Sequence, residues 1–349
     1  MSFFKRKGVT LSPKSYLIDA LSAMAQGLFA SLLVGTILST LGQLTGLALL
    51  ADIGNFASSV KGPAMAMAIG YALQAPPLVL YSLLAVGQAS DQLGGAGGPL
   101  AVYIVSLIAC EIGKLVSKET KLDLIVTPLI TILSGSFLSI WMAPNIGKLA
   151  SSLGNLIMWA TDLQPFLMGM VVSVIVGIAL TLPISSAAIC AALGLTGLAG
   201  GAALAGCCAQ MVGFAIMSFR ANGLAGVIAQ GLGTSMLQVP NILKKPIIWL
   251  PTIITSAITG PIATMIFKLE MNGPAIASGM GTSGLVGQIG VYTGWVADIT
   301  NGEKVTITSL DWAELVLISF ILPAIITWVI SFICQKARLY TSKDLSLDL

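Results

Sequence analysis

The chain has 349 residues, of which 56% are hydrophobic and only 9% are charged, whereas roughly a quarter of the residues in a soluble domain are charged. A mean hydropathy of +0.95 excludes a single water-soluble core. The formal net charge of +3 is small, and the basic residues lie beside hydrophobic segments, which argues against a nucleic-acid-binding surface. The composition therefore predicts an all-α polytopic membrane protein without a soluble domain of useful size.

Long stretches of the sequence carry no charge. Ala20–Ala51 and Gly62–Ser90 are each long enough for one membrane-spanning helix and Pro165–Phe219 for two, since a helix needs about 20 apolar residues to cross the bilayer core. Basic residues flank the first and the last hydrophobic segments: Lys5, Arg6, Lys7, Lys14, Lys336, Arg338 and Lys343. Such flanks usually stay in the cytoplasm, so both termini are predicted to be cytoplasmic and the number of crossings to be even.

The N-terminal half is predicted to contain several spans and one interfacial helix. The predicted spans are Ile18–Gly42, Gly62–Val86, Leu100–Val116 and Leu122–Ala143, and Pro76 and Pro77 are expected to kink or break the second of them. Gln43–Lys61 is either a surface helix or a short span. Asn145–Asp162 combines apolar residues at helical spacing with Lys148 and other polar residues, which predicts an amphipathic helix in the membrane interface. An ordinary connecting helix is the alternative.

The C-terminal half combines ordinary spans with two Gly-rich segments. The predicted spans are Pro165–Pro183, Leu204–Phe219, Ile247–Phe267 and Leu315–Cys334, and a polar loop is predicted at Asp298–Asp311. Ala221–Pro240 and Asn272–Gly294 contain several Gly among polar residues, and such backbone is tolerated at membrane depth only where protein or a water-filled cavity covers it. Both are therefore predicted to be re-entrant hairpins, in a bundle of about eight to ten transmembrane helices.

Charges within the apolar segments are few and are the first candidates for function. Glu111 lies three residues before Lys114, one helical turn away, so the two side chains are expected to pair locally. Arg220 is the only charge between Asp162 and Lys244. It either anchors the end of a helix or attracts an anionic ligand.

No enzyme motif is present. The sequence has no His, no paired carboxylates within a span, no P-loop and no G-x-S-x-G motif. The five cysteines form no C-x-x-C motif and are predicted to be buried thiols: Cys110, Cys190, Cys207, Cys208 and Cys334. We therefore expect no catalysis, no metal and no cofactor.

The candidate binding residues are uncharged polar side chains beside the predicted hairpins and span ends. They are Ser185, Ser186, Gln210, Asn222, Gln230, Thr234, Ser235, Gln238, Asn272, Thr282 and Ser283. Together they are suited to hydrogen-bond a small hydroxylated solute, such as a sugar. For any one of them the alternative is a hydrogen bond between packed membrane helices.

Four short motifs carry a resemblance to a known family: Trp141–Pro144 (WMAP), Gln164–Gly169 (QPFLMG), Val239–Leu243 (VPNIL) and Asn272–Gly279 (NGPAIASG). With these motifs in this order, the chain resembles the membrane subunit IIC of bacterial phosphotransferase-system sugar transporters of the glucose/lactose superfamily. Its texture is most similar to the divergent perfringolysin-regulator-like group. The resemblance implies a bacterial cytoplasmic-membrane protein, a homodimer, with a scaffold and dimerisation half at residues 1–163 and a substrate half at residues 164–349.

The sequence departs from that family where the family handles the sugar hydroxyl. The family usually has His after the span that ends here at Leu182–Ile184, and this chain has Ser185 and Ser186. The family also has a Glu in its first hairpin, whereas Gly231–Gln238 contains no carboxylate. We therefore expect a permease for a small polar solute that does not phosphorylate it. A membrane-embedded solute sensor is one alternative and a true IIC subunit is another; separate phosphotransferase or regulatory proteins are possible partners.

Overall fold

A computed structural model describes residues 6–9, 12–302 and 304–347; Lys5 lies outside this part. Of the described residues, 83% are helical, and they form no β-strand beyond an isolated bridge between Gly197 and Met271. The all-α class is therefore confirmed. The chain divides into two compact units, one ending at Ala150 and the other beginning at Ser151.

The first unit is built from helices joined by short turns. Two π-helical turns, Ser15–Asp19 and Phe29–Leu33, lie within its first long helical stretch. Its helices are α1 (Ala20–Leu28), α2 (Val34–Thr45), α3 (Ala48–Ser59), α4 (Lys61–Ala72), α5 (Pro77–Gly94), α6 (Gly98–Val116) and α7 (Asp123–Thr161).

The predicted span Gly62–Val86 is broken between α4 and α5, which is one of the two outcomes that Pro76 and Pro77 indicated. Pro76 precedes α5 in an extended conformation and Pro77 is its first residue, where a proline costs no intrahelical hydrogen bond. The two helices pack closely: a Cβ on Gly62 would lie 2.6 Å from the carbonyl oxygen of Gly87. The prolines therefore end one helix and start the next rather than kinking one span.

The expected pair between Glu111 and Lys114 forms within α6. The Lys114 Nζ lies 3.2 Å from a Glu111 carboxylate oxygen and also donates to the Leu73 carbonyl at 3.0 Å. The Lys114 side chain is only 3% exposed. The lysine is therefore buried within the first unit, and its carboxylate partner is partly buried.

The predicted interfacial helix is not a separate element. It is the end of α7, whose 39 residues continue through Pro128 and Pro144. Near this end Ala150 and Ile157 are buried, whereas Leu149 is 66% exposed. An apolar, outward-facing surface is consistent with contact with lipid, but no helix break separates it from the preceding span. The predicted domain boundary after residue 163 follows the end of this same helix.

The second unit contains the remaining helices. Three π-helical turns, Ala229–Gly233, Ile262–Phe267 and Leu317–Ile321, and four 3-10 turns, Ser235–Gln238, Pro246–Trp249, Ser283–Leu285 and Ser342–Leu345, lie between or beside them. The helices are α8 (Pro165–Thr181), α9 (Ser186–Leu193), α10 (Gly197–Met217), α11 (Phe219–Ile228), α12 (Val239–Lys244), α13 (Leu250–Pro261), α14 (Ala275–Ser278), α15 (Val286–Thr300), α16 (Ser309–Val316) and α17 (Leu322–Lys336).

Both Gly-rich segments form helix–turn–helix hairpins. In the first hairpin, residues 219–244, α11 runs into a π-helical turn, Thr234 is extended, and a 3-10 turn leads into α12. In the second hairpin, residues 272–300, the turn between α14 and α15 contains Gly281 at φ +55°. A Cβ there would lie 2.8 Å from the Cβ of Cys207 on α10, so both the backbone conformation and the close packing favour glycine.

The chain is polytopic. The described residues contain six helical stretches long and apolar enough to cross a membrane. One of them, Pro77–Val116, comprises α5 and α6, and the shorter α8 is also apolar. Counting these helices separately, the described residues hold eight candidate spans, within the predicted range.

Candidate functional site

A polar network in the second unit converges on Gln210, a fully buried residue of α10. Its side-chain oxygen accepts hydrogen bonds from Trp249 Nε1 and Thr252 Oγ1, both at 2.9 Å. Thr181 of α8 approaches the same oxygen at 3.3 Å. The amide nitrogen donates to Ser256 Oγ at 3.2 Å. We call these five side chains the Gln210 network; all are uncharged.

The network extends to the first hairpin through Thr181. The Thr181 and Ser235 hydroxyls are 2.8 Å apart, and Ser235 is fully buried. Neighbouring Thr234 is also buried, but its hydroxyl accepts from the Met236 amide at 3.1 Å and so stabilises its own turn. Of the predicted site residues, the structure thus brings Gln210 and Ser235 to one network.

The tips of the two hairpins meet near this network. The Thr282 hydroxyl of the second hairpin donates to the Gly231 carbonyl of the first. The next residue, Ser283, is 6% exposed. The two tips are therefore joined by a hydrogen bond, and both also pack against α10, the second hairpin at Cys207 and the first at Ala215.

Ser185 and Ser186 lie at the bend between α8 and α9, and each has a structural partner. Ser185 caps α9 by accepting from the Ala188 amide at 3.2 Å. Ser186 donates to the Gly279 carbonyl of the second hairpin at 2.7 Å. The bend is therefore tied to the second hairpin, although neither hydroxyl contacts Gln210 in the described hydrogen bonds.

A second cluster joins the remaining polar residues of the first hairpin. Gln230 donates to Ser218 Oγ at 2.8 Å and accepts from Gln238 at 2.9 Å. Gln238 accepts in turn from Asn241 Nδ2 at 3.0 Å. All three amide side chains are buried.

The partner of this second cluster is the end of the chain itself. The Leu345 carbonyl accepts from Asn222 Nδ2 at 2.9 Å and from Gln238 Nε2 at 3.1 Å, and the Ser346 carbonyl accepts from Asn241 Nδ2 at 2.8 Å. The Leu347 amide donates to Asn222 Oδ1 at 2.8 Å. We call residues 340–347 the C-terminal segment. Asn222 and Gln238 thus hold this segment, a role their sequence context did not indicate.

An ion pair fixes the same segment. Lys245 lies 2.9 Å from the Asp344 carboxylate, and the Thr341 amide donates to that carboxylate at 2.7 Å. The hydrogen bond from the Thr341 backbone and then that from Lys245 lower the pKa of Asp344. Asp344 is therefore ionised at neutral pH and stabilises the docked segment.

Asn272 lies apart from these clusters. Its side-chain nitrogen donates to Glu270 and Asp298, both at 3.1 Å. In the described hydrogen bonds, neither carboxylate touches the Gln210 network. Glu270 and Asp298 are thus both engaged by Asn272 at the base of the second hairpin.

Sequence reasoning missed part of the Gln210 network, although a signal was present. Thr252, Thr255, Ser256 and Thr259 recur at spacings of three and four residues along α13, which places their hydroxyls on one helix face. All four are fully buried. A polar stripe on a membrane helix at this spacing indicates a polar interior partner, here Gln210 and, for Thr255, the Thr327 hydroxyl at 2.8 Å.

Fold and site together define a multi-pass membrane protein with a buried polar interior between helices and two hairpins. The family model of the phosphotransferase system, EIIC, matches residues 18–347, nearly the whole chain, and the chain belongs to this family. No curated protein and no solved structure matched it. EIIC domains are membrane components of transporters, so the protein has a transport-related role in the membrane.

Proposed function

We propose that this protein is an EIIC-like permease that carries a small polar, carbohydrate-like solute without phosphorylating it. The observation that carries the proposal is the Gln210 network beside the meeting hairpin tips. It offers hydroxyl and amide groups, which suit an uncharged hydroxylated solute, and no ionised group to favour an ion.

Solute binding would exchange hydrogen bonds rather than create them. The network groups are paired with one another, for example Gln210 with Thr252 at 2.9 Å. A sugar hydroxyl can both donate and accept, so it can replace either partner with a small net change of about 1 kcal/mol per bond. In this interpretation the structure is a closed conformation, and separation of Thr282 from Gly231 opens the site.

The same chemistry opposes phosphoryl transfer. Transfer to a sugar hydroxyl needs a group that takes the proton or aligns the attacking oxygen, and losing a general base costs about 10² to 10⁴ in rate. The chain has no His, and residues 165–243 contain no Asp or Glu. Ser, Thr and Gln side chains stay neutral at pH 7, so none of them replaces such a base.

The proposal also covers the roles of the two units, the homodimer and the position of the termini. The first unit would supply the scaffold and the homodimer contact, and the second would carry the solute by alternating access. Both termini would lie in the cytoplasm of a bacterial cell. Phosphotransferase or regulatory proteins are candidate partners there.

A solute sensor is the second candidate, favoured by the C-terminal segment. Its backbone binds Asn222 and Gln238 of the first hairpin directly. Movement of the hairpin on solute binding would therefore change the docking of the segment, which another protein could detect. Uptake separates the candidates, since a sensor binds the solute without carrying it.

A binding screen with one matched pair of variants tests the site. Sugars, sugar phosphates, nucleosides and organic acids are screened by thermal shift in detergent. Thr252→Val removes a hydroxyl that contacts Gln210, and we expect it to weaken the ligand about fivefold, the equivalent of about one hydrogen bond. The control is Thr259→Val, because that buried hydroxyl bonds only to backbone carbonyls of its own helix. Equal affinities in the two variants would contradict a site at Gln210.

A further inference from the structure

A cavity of about 300 Å³ lies where α10, α11 and α17 come together in the second unit. Its polar lining consists of Arg220, Ser331 and Gln335. Its apolar walls are Ile216, Met217, Phe219, Trp328 and Phe332. The Ser331 hydroxyl accepts from Tyr340 at 2.8 Å and from Gln335 at 3.1 Å, which fixes this polar wall.

The cavity is cationic. No carboxylate lines it, and Arg220 makes no ion pair among the salt bridges of the described residues. A second cation stands close by, because the Lys336 Nζ lies 4.7 Å from the centre of the Phe332 ring. An exposed guanidinium with no carboxylate partner is suited to a phosphate, which it can bind through two hydrogen bonds.

A second cavity, of about 280 Å³, adjoins the first and shares Ile216 with it. It has no charged lining. It is bounded by Val212, Ala215, Ile216, Val227, Ile228, Gly231, Leu232, Phe320 and Ala324. Such a cavity takes a hydrocarbon chain rather than a hydrated solute.

The apolar cavity and the polar cavity follow each other in the same order along α10 and along α17. On α10 the apolar cavity is reached at Val212 and the polar one at Met217. On α17 Ala324 lines the apolar cavity and Gln335 the polar one. At 1.5 Å per residue, Ala324 and Gln335 are separated by about 16 Å along the axis. The two cavities together form one groove, which is cationic at one end and apolar at the other.

We propose that this groove binds an anionic phospholipid, with its phosphate at Arg220 and an acyl chain in the apolar cavity. Trp328 is 56% exposed beside the polar end, where aromatic rings favour the headgroup region of a bilayer. A free phosphate or sugar phosphate would satisfy Arg220 but would leave the apolar cavity unfilled. Of these phosphate compounds, only a phospholipid would fill both cavities.

The apolar cavity is in direct contact with the first hairpin, whatever solute the protein carries. Gly231 lines the apolar cavity, and its carbonyl accepts the hydrogen bond from Thr282. An acyl chain in the groove would thus pack against the tip of the first hairpin. Bound lipid is expected to stabilise the closed contact between the hairpin tips.

Native mass spectrometry and thermal shift on the full chain in detergent test the proposal, using phosphatidylglycerol, phosphatidylcholine of the same chains, and glycerol 3-phosphate. We expect phosphatidylglycerol to bind at least about fivefold more tightly than phosphatidylcholine, since one basic residue near the surface contributes about 1 kcal/mol. Arg220→Gln should remove that preference and Lys244→Gln, an exposed cation outside the groove, should keep it. Ala324→Phe should weaken both lipids by filling the apolar cavity.

Three outcomes would overturn the inference. They are equal binding of the two lipids by the wild type, an unchanged preference in Arg220→Gln, and displacement of phosphatidylglycerol by equimolar glycerol 3-phosphate. The last would assign the site to a soluble phosphate. Because Arg220 is exposed, its variant is expected to keep the wild-type melting temperature without lipid, and Arg220→Lys, which keeps the charge, should retain part of the preference.

Discussion

Gln210 shows how a single buried amide organises the interior of the second unit. Its oxygen accepts from Trp249 and Thr252 and its nitrogen donates to Ser256. Within a membrane such hydrogen bonds contribute on average about 0.6 kcal/mol each, so this network specifies an arrangement more than it stabilises the fold. Weak hydrogen bonds in a fixed arrangement suit a site whose groups must exchange partners with a solute.

Asp344 makes docking of the C-terminal segment depend on pH. Its pKa is lowered in the folded protein, so its contribution is complete above the unfolded pKa of about 3.9 and is lost as the pH falls through the folded value. We expect Asp344→Asn to melt below the wild type by a constant difference above about pH 5. That difference should shrink as the pH falls below about 4. Thermal unfolding across a pH series checks this, and a difference that grows with acidity would contradict it.

The sequence predicts the two hairpins but not the docking of the C-terminal segment. Gly and polar residues at membrane depth leave few structures other than a covered re-entrant turn, so the sequence of Ala221–Pro240 predicts a hairpin. The segment binds Asn222 and Gln238 through backbone groups of Leu345 and Leu347, and every residue has such groups. These backbone contacts therefore have no signature in the sequence.

The roles predicted for single polar residues, in solute binding or in packing, are also hard to separate from the sequence. Gln210 and Ser235 meet in one network, whereas Ser185 and Thr234 stabilise their own turns. Hydroxyl and amide side chains serve binding and packing equally well, so residue type alone does not separate the two roles. The polar stripe on α13 would have improved the prediction, since its spacing identifies a common face.

The C-terminal segment should detach when its buried anchor is removed. Leu345 is fully buried and packs in a cluster with Phe214 and Tyr340. We expect Leu345→Asp to release the segment, because an unpaired buried charge is costly. Hydrogen exchange of residues 340–347 should then rise well above the wild type. The control is Leu339→Asp at a position that is 42% exposed; equal exchange in both variants would show that Leu345 does not hold the segment.

An EIIC chain whose described residues hold eight candidate spans between basic flanks should have its two ends on one side of the membrane. Reporter fusions at Lys14 and Lys343 test this directly. We expect both to report the cytoplasm, because Lys and Arg beside a span favour that side. Reporters on opposite sides would require an odd number of crossings and would exclude the proposed topology.

The central claim is that the solute crosses without being phosphorylated. It rests on an interior of neutral groups at Gln210 and on the absence of His from the whole chain. The direct test reconstitutes the protein in liposomes with the general phosphotransferase proteins, phosphoenolpyruvate and the sugars selected by the binding screen. We predict free sugar inside the liposomes, at the same rate with and without phosphoenolpyruvate. Phosphorylated sugar inside, formed only when this chain is present, would contradict the claim.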